Sequence, residues 1–160
     1  MLLAAWVVAL GLLTLLFRNV LTEQENPNRN VQAVTGVQQR PEVVLERNRA
    51  GHYVASGRIN GQPVVFLVDT GATDVAVPGE VARRLGLRKG APRVSRTANG
   101  AVTVWGTRLH SVDLGGIVRH DVRATILPNM AGDQVLLGMS YLKELELVQS
   151  GNTLRLRYPG

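Results

Sequence analysis

The stretch Val64-Val65-Phe66-Leu67-Val68-Asp69-Thr70-Gly71-Ala72-Thr73 decides how the rest of the chain is read. Its apolar run describes a short strand buried on both faces. The run ends in a carboxylate, a hydroxyl and a glycine. Asp, Thr and Gly are also ordinary turn residues, so the triplet alone is satisfied by a plain turn. Yet a carboxylate delivered at the tip of a buried strand is costly, because apolar surroundings oppose its ionisation. Such an arrangement invites a chemical use.

On either side, turn signals recur at short intervals. Residues 43–46 read as a strand, Arg49-Ala50-Gly51 as a turn and residues 52–59 as a second strand. Asn60-Gly61 is a two-residue hairpin signal that returns the chain into residues 62–68. Pro78, then residues 80–85 closed by Gly86, follow helix grammar, with Glu80 near the start and Arg83 and Arg84 near the end. Strands follow at 93–98 and 101–109, joined by Asn99-Gly100. Gly115-Gly116 turns the chain into a long alternating strand at 117–127. Residues 135–137 form a short buried strand and 139–145 a brief helix. Ser150-Gly151-Asn152 then joins two closing strands. This pattern predicts an all-β, barrel-like domain with one or two short helices and no internal repeat.

Three features stand in a fixed order: Asp69-Thr70-Gly71, the hairpin signal Thr97-Ala98-Asn99-Gly100, and Val135-Leu136-Leu137-Gly138 running into a helical pattern. In that order within one small domain they resemble the retropepsin-like aspartic proteases, and most of all the bacterial, membrane-anchored members. The resemblance covers residues 42–158. It implies a closed β-barrel of the acid-protease fold, a single lobe, that hydrolyses peptide bonds through a water held between two carboxylates. It implies that Asp69 is catalytic and that Thr70, Gly71, Ala72 and Thr73 support the active-site loop. Ala98, Asn99 and Gly100 would form the tip of a flap that closes over the peptide. Leu136, Leu137 and Gly138 would pack beneath the loop, with Gly138 permitting a close strand crossing. Many viral members carry an acid where this chain has Thr73; here Asp74 follows one place later, so their subsite preferences do not transfer.

The chemistry needs two carboxylates sharing one proton, which titrate as a coupled pair because like charges that close cannot both ionise. Asp74, Asp113, Asp121 and Asp133 lack the Thr-Gly that follows Asp69. One chain therefore holds half a dyad, and the resemblance implies a homodimer with one Asp69 from each copy. The alternative is a non-catalytic dimerisation or peptide-binding module on a membrane anchor.

With 160 residues there is room for one domain plus appendages. The absence of cysteine excludes disulfides, thiolate catalysis and Cys-based zinc sites. His52, His110 and His120 are too scattered for a metal motif; no Gly-x-Ser-x-Gly or phosphate-binding loop occurs, and neither metal nor cofactor is expected. The net charge is +6, and only Lys89 and Lys143 among the cations are lysines. The densest cluster is Arg83, Arg84, Arg88, Lys89, Arg93 and Arg96. Without interleaved aromatics it reads as a solvated face, not a nucleic-acid surface.

Residues 1–17 are apolar apart from Thr14, and as a helix span about 25 Å, enough for a bilayer core. The expected organisation is a transmembrane anchor at 1–18, a polar linker at 19–41 and the protease domain at 42–160. Arg18 alone leans toward a cytoplasmic domain. The resemblance places the domain in the periplasm, tethered to a bacterial inner membrane, and acting on protein or peptide substrates.

Overall fold

The computed structural model describes residues 6–7, 10–11, 13–14, 23–35, 40–97 and 100–159. Its strands are β1 (Val34–Thr35), β2 (Pro41–Glu46), β3 (Val54–Ile59), β4 (Gln62–Val68), β5 (Val75–Pro78), β6 (Pro92–Thr97), β7 (Gly100–Leu114), β8 (Ile117–Leu127), β9 (Gln134–Leu137), β10 (Glu146–Ser150) and β11 (Thr153–Arg157). Two short helices are α1 (Gly79–Arg84) and α2 (Met139–Leu142). Local turn chemistry sets the hairpins. Asn60 and Gly61 take φ of 50° and 78°, and Gly115 and Gly116 take 60° and 98°, so each pair forms the primed turn that matches strand twist.

Among the described residues the strands build two sheets. The larger runs β3-β4-β9-β5-β8-β7-β6, and β3 also pairs with β7. The strands β3, β4, β9, β5, β8 and β7 therefore close into a barrel, leaving β6 outside the ring. Phe66, Ile59, Leu109, Leu114, Ile126, Leu137 and Tyr141 fill the interior and are fully buried. Each such side chain stabilises the fold by about 1.5–3 kcal/mol. The smaller sheet runs β1-β2-β11-β10, and its Val43, Leu45, Leu154 and Leu156 join the same core. β10 lies at its edge, where Arg157 Nε donates to Glu146 Oε2 at 2.7 Å. That bond holds the Glu146 carboxyl below the usual glutamate range.

The structure differs from the sequence reading in several places. β4 is not buried on both faces: Val64 and Phe66 point into the core, while Val65 and Leu67 are only half-buried. The α2 helix stops at Leu142, short of residue 145. β7 runs to Leu114 instead of stopping at 109. The inward alternation of β7 changes phase between Leu109 and Val112, opposite Asp121, whose φ of 52° bends β8. A strand kinked in this way no longer shows one period.

Residues 23–35 are not a free linker. Asn28 is buried, and its Nδ2 donates to the carbonyls of Glu46 at 2.8 Å and Val54 at 2.7 Å. Its Oδ1 accepts from Glu46 N at 2.7 Å, and its carbonyl accepts from Ser56 N at 3.0 Å. Asn26 Nδ2 reaches Ser56 Oγ at 3.1 Å. Val31 and Ala33 pack on the core, and β1 extends the smaller sheet through β2. The domain thus begins before residue 42, with a strap stapled across β2 and β3. Among the described residues no helix is long and apolar enough to cross a membrane; most of the anchor expected over 1–18 lies outside the described residues.

Candidate active site

Strands β4 and β5 are consecutive in the chain but not neighbours in the sheet. β9 lies between them, parallel to β4 (Val68↔Leu137) and antiparallel to β5 (Ala76↔Leu136). The intervening loop, residues 69–74, must therefore arch over the end of β9. Asp69 stands at the start of this arch, half-buried, with its N–H bonded to Leu137 O at 3.2 Å. Its Oδ1 accepts from Gly71 N at 2.9 Å, and its carbonyl accepts from Ala72 N at 3.3 Å. The carboxylate is therefore oriented by its own loop. Thr70, Gly71 and Thr73 are exposed in the single chain, and Ala72 is half-buried.

Gly138 sits beneath the arch and is buried. A Cβ at this position would lie 2.7 Å from Ala72 O and closer still to Asp74 O, so only glycine fits. Just beyond it, Met139 N donates to Ala72 O at 2.8 Å and Ser140 N to Thr73 O at 2.9 Å. Leu137 is buried behind the loop and Leu136 is half-buried. The structure thus brings Asp69, Thr70, Gly71, Ala72 and Thr73 together with Leu136, Leu137 and Gly138.

Sequence reasoning missed Ser140. It is buried, accepts from Val75 N at 3.0 Å and donates to Arg123 O at 2.7 Å, tying the arch's exit to β8. A serine in the first turn of α2 gave no sequence signal for that. Asp74 at the same exit pairs with Arg123 Nη2 at 3.3 Å.

The hairpin expected to form the flap is built from β6 and the first half of β7. Trp105 pairs with Pro92 on one side and Ile126 on the other, so beyond this point the hairpin stands off the barrel as an arm. Its second strand starts at Gly100, one residue before the expected 101. Thr97 pairs with Gly100, which takes φ of 106° and already belongs to β7. Ala98 and Asn99 lie outside the described residues. Among the described residues no group of His, Asp and Glu is placed to hold a metal ion.

A single barrel lobe with an Asp-Thr-Gly arch over a glycine-ended strand defines an acid-protease domain. A family model described as "gag-polyprotein putative aspartyl protease" matches residues 55–144. A crystal structure of a retropepsin-like aspartic protease from Rickettsia conorii is similar at 32% identity and a TM-score of 0.62, covering 73% of this chain and 90% of that one. An uncharacterized protein from the cobV 5' region of a Sinorhizobium species is 34% identical over 128 residues, 78% of this chain and 55% of its own length. An uncharacterized protein of Rickettsia prowazekii (strain Madrid E) is 32% identical over 108 residues, 66% of this chain and 46% of its own. The chain spans about half the length of these two curated relatives. The chain belongs to the retropepsin-like aspartic protease family.

Proposed function

We propose that this protein is a membrane-anchored aspartic endopeptidase in which two copies each supply one Asp69. The observation that carries the reading is the arch itself. A half-buried carboxylate is held in place by Gly71 N–H at 2.9 Å, while Thr70 and Gly71 beside it stay exposed, as half of a shared site would be. Across a two-fold axis the second Asp69 would face the first. One carboxylate takes a proton from the trapped water as that water attacks the scissile carbonyl, and the other, protonated, donates to the carbonyl oxygen. Thr70 would bridge the two loops by reciprocal hydrogen bonds. The β6–β7 arm would close over the peptide and exclude water. The apolar residues 1–17 and the implied periplasmic setting support a tether to a bacterial inner membrane.

The test is cleavage of a peptide library across pH by the wild-type chain and by Asp69→Asn. Wild-type activity should follow a bell in pH, because one proton must stay on the pair. Asp69→Asn should lose cleavage at every pH and keep its fold. Turnover by Asp69→Asn at the wild-type rate would refute the catalytic assignment. A correctly folded wild-type chain that binds peptides but cleaves none would instead favour the non-catalytic module.

A further inference from the structure

Beyond the arch, the foot of the β6–β7 arm and β8 line an open groove of about 920 Å³ that reaches Asp74. That volume is within the range of small-ligand and side-chain pockets, about 300–1,000 Å³. Arg88, Lys89, Arg93, Arg108 and Arg123 line it, with Asp74 as the one acid among the described residues of the lining. Arg123 is paired with Asp74 and Arg108 with Asp121. Among the described residues, Arg88, Lys89 and Arg93 have no carboxylate partner.

These three cations do not sit on a loose loop. Thr107 Oγ1 donates to Arg88 O at 2.8 Å, and Gly90 N donates to Gly106 O at 2.8 Å, pinning residues 88–90 to β7. Lys89 Nζ lies 4.3 Å from the centroid of the Trp105 ring. The Arg93 guanidinium lies against Gly106, where a Cβ would come within 3.0 Å of Nη2. The groove therefore carries three positive charges in excess of those that Asp74 and Asp121 neutralise, with Lys89 and Arg93 held against β7. Fixed charges of this kind lose little entropy when a counter-charge arrives.

Resting on the aspartic endopeptidase reading, we infer that this groove takes acidic side chains of the peptide substrate flanking the scissile bond. Two observations favour a peptide over nucleic acid. The groove reaches Asp74, the last residue of the loop that carries Asp69, and among the described residues its lining holds no Trp, Tyr or Phe on which bases could stack. The net charge of +6 would steer such substrates as well.

The experiment reads binding, so that it does not depend on turnover. Full-length Asp69→Asn chain in neutral detergent is titrated with fluorescent peptides of one sequence carrying Glu, Gln or Lys at the flanking positions. The Glu peptide should bind about tenfold tighter than the Gln peptide, and added salt should erase the difference. The triple variant Arg88→Gln, Lys89→Gln, Arg93→Gln on the same background should lose that preference while unfolding at the same temperature. Equal affinity for all three peptides, measured on a chain without surface substitutions, would overturn the inference whether or not the triple variant folds. So would tighter binding of a short DNA duplex than of the Glu peptide. Failure here leaves the loss of cleavage in Asp69→Asn untouched, so the two readings stand or fall separately.

Discussion

A methyl group at position 138 would meet two backbone carbonyls of the arch, Ala72 O at 2.7 Å and Asp74 O at a shorter distance. Neither can swing aside like a side chain, so the loop itself must lift. Gly138→Ala should therefore destabilise the domain by about 3 kcal/mol, the upper end of ordinary overpacking, measured by urea unfolding. It should also shift Asp69, whose N–H is bonded to Leu137 O one residue away, and so cost activity beyond the loss of folded protein. A variant within about 0.5 kcal/mol of wild type would show that β9 does not fix the arch, since changes of that size are ordinary at unconstrained surface positions. At this scale the residues of the arch were visible in the sequence as a motif order. Ser140 was not, because its bonds to Val75 and Arg123 join segments distant in the chain and leave no local pattern.

Hairpins whose turns depend on glycine or asparagine at positive φ were legible, since the rule is local: Asn60-Gly61 and Gly115-Gly116 sit where the sequence places them. Elements shaped by distant contacts were not. The kink at Asp121 hid the end of β7. The clearest case is the strap. Its polar residues carry no periodicity, yet Asn28 satisfies backbone groups of both β2 and β3. Asn28→Ala would leave the Glu46 N–H and the Val54 carbonyl without these partners, and the bond to Val54 is buried. The expected loss is about 2–4 kcal/mol, since each orphaned buried group costs about 1–3 kcal/mol. Asn26→Ala, which breaks a single side-chain bond to Ser56 and one to Asn28 N, should cost less. Equal and negligible losses in both would return residues 23–35 to the status of a linker.

For the whole molecule the decisive quantity is the number of chains per site. Under the proposed mechanism the Asp-Thr-Gly arch, with Thr70 and Gly71 exposed, would supply half a dyad, and the sheet edge at β10 would be open to a second copy. If two chains share one site, activity follows the population of wild-type pairs and not of wild-type chains. A threefold excess of Asp69→Asn chain, allowed to exchange, leaves wild-type chains paired with each other roughly one time in four by mass action. Activity per wild-type chain should then fall to about a quarter of its unmixed value, and dilution of the detergent-solubilised protein should lower specific activity in the same way. If the chain is anchored as proposed, the effect should weaken in a bilayer, because confinement raises the effective concentration of anchored chains. A self-sufficient chain predicts activity strictly proportional to wild-type chain in every mixture. That outcome, observed under conditions where labelled chains demonstrably exchange, would leave Asp69 without its partner and remove the two-fold mechanism.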